Sequence, residues 1–372
     1  MLLSNPYRPD PRVLRESRGL MEEGIKVKLI AWDRDGGFMP KAHEEGVEVH
    51  RVGPRCAYRS AGKVISRLPR FWWRALKESQ RTDFDIVHAH DLDTLPLGLL
   101  ISRLRNKPLV YDAHELYYAM IRKDVGAISD LVWVLERALS RRAGEIITVN
   151  ERMAEVLSKG RTKKAKLVRN SPDTSPLTGA DVKKIRAKYG LSGFVISYLG
   201  SLEPGRFIED LSTIFGPKDG VCVALGGNGT LRPIAEKAGR ENPAVRFLGT
   251  VSTDESLRIT FASDLVAAVH NPSNPNYKVG TPIKVLEAMA CGRPTVTCEG
   301  LDINERVREA GCGFFIGYNR QEFVDVVRKA MTSPGLLAEM GARGKEYYGR
   351  ELSWNRQKAE LLGAYRALLG PN

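Results

Sequence analysis

Short apolar runs alternate with longer stretches of helical period along almost the whole chain. The runs are KVKLIAW (26–32), VEVHRV (47–52), FDIVHAH (84–90), PLVYDAH (108–114) and EIITVN (145–150), then FVISYL (194–199), VCVALGG (221–227), AVRFLG (244–249), DLVAAVH (264–270) and PTVTC (294–298). Repeated strand-then-helix patterning at this spacing predicts parallel sheets covered on both faces, so the fold class is α/β with doubly wound sheets. At 372 residues the chain exceeds the size at which one core keeps growing, and two domains follow. Between them, RNSPDTSPLTGADV (169–182) clusters Pro, Ser, Thr, Gly and Asp without apolar periodicity, a linker composition. The expected division is an N-terminal domain over 1–172, a C-terminal domain over 173–352, and a last helix over 353–372 that returns toward the first domain. Parallel sheets bind ligands beyond the carboxyl ends of their strands, so two such domains would face each other across a cleft.

The opening MLLSN leaves little room for a first strand, which points to a short edge strand or a truncated start. Five cysteines, Cys56, Cys222, Cys291, Cys298 and Cys312, are scattered without a C-x-x-C pair. That argues for reduced thiols in a cytosolic compartment, with neither a disulfide framework nor a zinc site. The sequence has neither a signal-peptide pattern nor a run of about eighteen apolar residues, and predicts a soluble or peripherally bound protein.

TPIKVLEAMACGRP (281–294) carries the sharpest chemical signal. Thr281 reads as an N-cap with Pro282 at the first helical position, which puts Lys284 in the first turn and Glu287 one turn later on the same face. A cation there opposes the helix dipole by roughly 0.3 to 1 kcal/mol unless an anion occupies the same end. A solvated lysine on an ordinary amphipathic helix is the competing account. In VISYLGSLEPGRFIEDL (195–211) a strand ends at Gly200, passes a Pro-Gly turn, and enters a helical pattern near Arg206. Gly226, Gly227 and Gly229 follow the next strand, either to bring backbone N–H groups close to a phosphate or simply to turn the chain.

The net charge of +13 is unevenly placed: Arg55 to Lys77 holds seven basic residues and no acidic one, around Phe71, Trp72 and Trp73. Arg67, Arg70, Phe71, Trp72, Trp73 and Arg74 suit an anionic membrane interface. Two alternatives stand beside it: aromatics packed into the first domain's core, and a nucleic-acid patch, which no accompanying motif supports.

Taken together these segments resemble glycosyltransferase family 4, retaining enzymes with the GT-B architecture of two facing Rossmann-like domains. RPDPRVLRESRGLMEEGIKVKLIAW (8–32), FDIVHAHDLDTLPLGLL (84–100) and PLVYDAHELY (108–117) are similar to its acceptor domain. YLGSLEPGRFIEDL (198–211), FLGTV (247–251) and KVLEAMACGRPTV (284–296) are similar to its donor domain. The resemblance implies that Arg206 and Lys284 meet the donor diphosphate, that Glu287 accepts from the ribose hydroxyls, and that His114 lies near the transferred sugar. A histidine satisfied within a strand end is the alternative for His114, and His88 and His90 are expected to be structural, with His90 and Asp91 as possible cleft residues. Gly200, Ser201, Gly226, Gly227, Gly249, Asn276, Tyr277, Gly280 and Thr281 complete the implied donor site.

Two positions depart from the family pattern. Val279 stands where a first Glu commonly touches the sugar, which passes that contact to Asn276, Tyr277 or backbone near Gly280. Ser201 replaces a frequent basic residue. The expected activity is retaining transfer of a hexose from a nucleotide-diphosphate sugar to a lipid-linked or glycan acceptor at the inner membrane face. A soluble small-molecule acceptor, or nucleotide-sugar binding without catalysis, are the alternatives. No metal, no other cofactor and no nucleic acid are implied.

Overall fold

A computed structural model of the chain describes residues 1–8, 10–56, 61–114, 126 and 128–370. The chain forms two compact units, Met1–Asn170 with Asn355–Asn372, and Ser171–Trp354. The chain passes between them inside the Pro- and Ser-rich stretch.

In the first unit the strands are β1 (Leu2–Leu3), β2 (Lys28–Ala31), β3 (Lys41–Glu44), β4 (Val47–Arg51), β5 (Val87–His90), β6 (Leu109–Ala113), β7 (Glu145–Thr148) and β8 (Lys166–Leu167). They form one sheet in the order β3-β4-β2-β1-β5-β6-β7-β8. β1 is short, as its sequence requires, but it is central and not an edge: Leu2 pairs with both Ile30 and Ala89. β3 pairs antiparallel with β4 and was hidden because KAHE is half exposed and has no apolar alternation. Its turn places Glu45 and Gly46 at φ 54° and 83°, the two left-handed residues of a tight hairpin.

Helices α1 (Pro11–Met21), α2 (Ala61–Ser79), α3 (Leu95–Arg105), α4 (Ile128–Ser140) and α5 (Glu151–Ser158) join these strands. Side chains alternate across the sheet: Val87, Ala89, Leu109 and Tyr111 pack with residues of α2, α3 and α5. Val110 and Ile147 point the other way, against Leu20 of α1 and Leu361 and Tyr365 of the C-terminal helix (Trp354–Leu369).

The three aromatics of α2 divide, because successive helical residues point about 100° apart. Phe71 is fully buried and stacks on Trp32 at 5.0 Å. Trp72 packs against the core and donates its indole N–H to the Asp93 carbonyl at 2.8 Å. Phe71 and Trp72 are therefore core residues, contrary to the membrane assignment. Only Trp73 is exposed, with Lys77 Nζ 3.7 Å from its ring centre. Arg67 and Arg74 donate to the carbonyls of Arg55 and Gly53, while Arg70 is exposed.

The α1 side of the sheet carries a buried ion pair. Arg12 grips Asp112 with two parallel bonds, Nε to Oδ2 at 3.0 Å and Nη2 to Oδ1 at 2.7 Å, and donates to the Val168 carbonyl at 2.6 Å. α1 starts where it does because Asp10 caps it, accepting from Val13 N–H at 3.0 Å, and that start aims Arg12 at β6.

The second unit has six parallel strands, β9 (Phe194–Leu199), β10 (Val221–Gly226), β11 (Val245–Phe247), β12 (Leu265–Ala268), β13 (Thr295–Cys298) and β14 (Gly313–Ile316). Their order is β11-β10-β9-β12-β13-β14, so the winding direction reverses between β9 and β12. Helices α6 (Val182–Tyr189), α7 (Ile208–Leu211), α8 (Arg232–Glu241), α9 (Thr253–Ala262), α10 (Pro275–Val279), α11 (Ile283–Ala290), α12 (Asn304–Ala310), α13 (Arg320–Met331) and α14 (Pro334–Tyr347) accompany the sheet. Ligands of open parallel sheets sit at such a reversal, beyond the strand carboxyl ends.

Three stability outcomes follow from these contacts. Arg12→Ala removes the two-bond partner of buried Asp112, which keeps the His114 imidazole at 2.9 Å, and is expected to cost about 3 kcal/mol in denaturant unfolding followed by tryptophan fluorescence. Gly227→Ala is expected to cost about 3 kcal/mol or more, because a Cβ there lies 1.7 Å from the Gly200 carbonyl oxygen at φ +140°. Gly249→Ala, at φ +67° with open space around it, should cost only about 1 to 2 kcal/mol.

Candidate functional site

At the reversal point of the second unit two cations stand close together. Lys284 lies in the first turn of α11, buried. Its Nζ is 4.1 Å above the Tyr198 ring and 3.5 Å from where a Gly200 Cβ would be. Arg206 lies in the turn before α7, not in a helix: Phe207 is left-handed at φ 63° and the helix begins at Ile208. The guanidinium sits 5.1 Å over the Tyr277 ring and its Nε is 3.4 Å from the Tyr277 hydroxyl. Tyr277 itself donates to the Pro204 carbonyl at 3.1 Å. Neither cation has a carboxylate ion pair among the described residues. Burial first, then Arg206, lower the Lys284 pKa to about 7, against a smaller upward pull from Glu287.

α11 is capped by Pro282, one residue later than expected, with no side-chain cap bond. Thr281 is therefore not the cap, and the first backbone N–H groups of α11 share the end of the helix with Lys284. Glu287 is buried one turn on, with Ser256 Oγ 3.5 Å from its Oε2. Asn276 is exposed on α10, Val279 is its last residue, and Gly280 follows with its N–H on the Asn276 carbonyl. Ser201 is exposed, and its carbonyl accepts from the Tyr198 hydroxyl at 2.7 Å.

The glycine turns pack against each other. Gly200 N–H donates to the Gly226 carbonyl at 2.9 Å, Gly227 N–H to the Gly249 carbonyl at 2.7 Å, and Leu202 N–H to the Asn228 carbonyl at 2.9 Å. Cβ atoms at Gly227 and Gly229 would strike Gly200 and Leu202 backbone oxygens. These glycines permit close backbone approach, and the Gly227 N–H is already committed within the fold.

In the first unit His114 follows β6. Its Nε2 is 2.9 Å from Asp112 Oδ2 and 3.1 Å from His90 Nδ1, its Nδ1 is 3.4 Å from Asp91 Oδ2, and its backbone N–H donates to Asp91 Oδ1 at 3.0 Å. Burial would lower its pKa, but Asp112 and Asp91 outweigh burial and hold it at about 10, so the ring is a cation at neutral pH. Asp91, left-handed at φ 62°, is raised by burial to about 6. His88 and His90 are buried and stacked at 4.2 Å, with His88 Nδ1 2.9 Å from the Tyr365 hydroxyl.

Glu16, His88, His90 and Asp112 place one ligand-type atom each within 4.8 Å of the others. Arg12 already supplies a cation to both carboxylates, 3.0 Å from Glu16 and 2.7 Å from Asp112. Burial also pushes Glu16 up to about 8. The carboxylates of this core already face the protein's own cationic groups, Arg12 and His114.

Sequence reasoning missed His270 and Tyr198. His270 follows β12, is buried, and its Nε2 has no hydrogen-bond partner. Burial, then Lys284 and Arg206, push its pKa down to about 2. A histidine closing an apolar run beside the β9 turn was the available signal. The ion pair of Arg12 with Asp112 joins positions a hundred residues apart, which no local pattern links.

Residues 12–175 match the family model described as Glycosyltransferase Family 4, and residues 193–333 match Glycosyl transferases group 1. A curated relative, the D-inositol 3-phosphate glycosyltransferase of Mycobacterium leprae, is 26% identical over 77% of this chain and 70% of its own. The enzyme of that name from Rhodococcus erythropolis is 23% identical over 95% of this chain and 85% of its own. Among solved structures, sucrose-phosphate synthase from Thermosynechococcus elongatus superposes with TM-score 0.79 at 16% identity, covering 99% of this chain and 98% of that one. HepE of Anabaena, solved in complex with UDP, gives 0.69 at 17% identity, covering 99% of each chain. With two Rossmann-like domains, an unpaired cation pair at the switch point of the second, and both family models matched in order along the chain, the protein belongs to the group 1 glycosyltransferases of the family 4 type.

Proposed function

We propose that this glycosyltransferase moves a hexose, with retention, from a nucleotide-diphosphate sugar to a lipid-linked or glycan acceptor at the cytoplasmic face of a membrane, and that it needs no metal or other cofactor. The observation that carries the donor half is the pair Arg206 and Lys284, buried or half-buried without a carboxylate partner. Breaking a sugar–phosphate bond loads negative charge on the departing diphosphate. Two cations and the N-terminus of α11 neutralise that charge in a partly dry site, where such stabilisation is strongest. Glu287 accepts from the ribose hydroxyls in this reading, and Tyr277, His270 and backbone near Gly280 stand near the sugar, where Val279 supplies no carboxylate. His114, held as a cation, serves the acceptor side. The membrane half is supported by exposed Trp73 with Lys77, and no helix among the described residues is long and apolar enough to cross a bilayer.

One comparison favours a second reading of the acceptor: the relatives are named for D-inositol 3-phosphate, a soluble polyol phosphate. The donor site is common to both readings.

Arg206→Ala and Lys284→Ala are each expected to weaken binding of the matching nucleoside diphosphate by roughly 10- to 100-fold while leaving the nucleoside unchanged; equal loss of both ligands in calorimetry would remove the phosphate role. Offered UDP-, GDP- and ADP-hexoses, the enzyme should release one nucleoside diphosphate when membrane lipid extract is added, with the donor's anomeric configuration kept in the product by NMR. Turnover on inositol phosphates alone would select the soluble acceptor, and inverted product would end the retaining assignment.

A further inference from the structure

The helix α4 packs Val132 and Leu139 against the core but carries a second, outward apolar stripe. Its buried positions include Ser129, Glu136 and Ser140, with Glu136 accepting from the Tyr111 hydroxyl at 2.7 Å. Its outer face carries Leu131, Val134 and Leu135, 69%, 61% and 49% exposed, at the i, i+3, i+4 spacing of one helical stripe. α3 packs against both α4 and α2 and exposes Leu100 and Leu104. Thirteen large hydrophobic side chains are exposed among the described residues. Seven lie on these three neighbouring helices, the last two being Ile65 and Trp73 on α2. Scattered single exposures need no explanation, but a cluster on adjacent helices does.

Charge identifies the occupant. α2, α3 and α4 hold eight Lys and Arg against three acidic residues, and two of those three, Glu78 and Glu136, are buried. A second copy docked on the same face would set like charge against like charge. An anionic bilayer instead supplies the counter-charge and an apolar phase for the leucines. At thirteen residues α4 is about 20 Å long, too short to span a bilayer and long enough to lie in its interface.

We infer that the outer face of α3 and α4, rimmed by the basic residues of α2, docks on an anionic bilayer with Leu131, Val134 and Leu135 entering the headgroup–acyl boundary. The inference rests on the membrane location proposed above, and moves its main contact from the aromatics of α2 to the stripe of α4. The remaining α2 contribution is electrostatic, through Arg70, Arg74 and Lys77, with Trp73 at the edge.

The test is flotation of the full-length protein with vesicles of phosphatidylcholine alone or mixed with phosphatidylglycerol. Wild type should bind the mixed vesicles and leave the neutral ones. Leu131→Gln with Val134→Gln and Leu135→Gln should weaken that binding roughly tenfold or more, with thermal unfolding and nucleoside diphosphate binding unchanged. Arg70→Ala with Lys77→Ala provides a second, non-apolar variant, which should bind less and lose its salt dependence in part. Undiminished binding by the triple variant would overturn the α4 surface while leaving membrane location standing. Failure of wild type to bind mixed vesicles would remove both, and nucleoside diphosphate binding would still report separately on the glycosyltransferase reading. A dimer in light scattering that the triple variant abolishes would assign the face to a second copy and refute the inference.

Discussion

Two cations without a carboxylate ion pair among the described residues organise the second unit. Arg206 and Lys284 are held within electrostatic reach of each other by a strand end, a glycine turn and a helix start, and burial, with a smaller share from repulsion by Arg206, lowers the lysine to about 7. A fold that needed only internal stability would place an acidic residue there. Instead tyrosines fill the role: Tyr198 lies under Lys284 and Tyr277 under Arg206. Aromatic faces stabilise cations without cancelling their charge, so the pair stays available to an anion. The close-packed turns at Gly200, Gly227 and Gly229 serve the same end, because any side chain at Gly227 or Gly229 would push the β9 turn out of place.

The first unit solves the opposite problem. Its buried charges are closed on themselves, with Arg12 and His114 gripping Asp112 and the backbone and imidazole of His114 engaging Asp91. This network pins α1 to β5 and β6 and fixes the orientation of a partly exposed imidazolium. One unit thus carries Asp112 and Asp91 paired with the protein's own cationic groups, and the other a cation pair without a carboxylate partner among the described residues.

Much of this was legible in the chain. Most buried strands announced themselves by an apolar run, though β1 was too short to read as the central strand it is, and Lys284 stood out because a cation in a first helical turn is anomalous on dipole grounds alone. β3, β8 and β14 escaped notice because they are short or half-exposed and lack alternation. The basic aromatic segment misled for a different reason. Adjacent Phe71, Trp72 and Trp73 look alike in a sequence, and only the helix phase decides which faces the core. The outward stripe of α4 was missed because an apolar helix face is ordinarily assigned to the core, and here Glu136 takes the inward place. His270 and the Arg12–Asp112 pair depend on long-range contacts that periodicity does not encode.

The most direct test of the cation-pair account is proton linkage. A nucleoside diphosphate bound between Arg206 and Lys284 must raise the lysine from about 7, so binding takes up a proton above that pH and weakens as pH rises. Calorimetry at pH 8 in buffers of different ionisation enthalpy should give an uptake approaching roughly one proton per site, abolished in Lys284→Arg, whose charge does not titrate. Tight binding with no proton uptake in wild type would contradict the account and place the diphosphate away from Lys284.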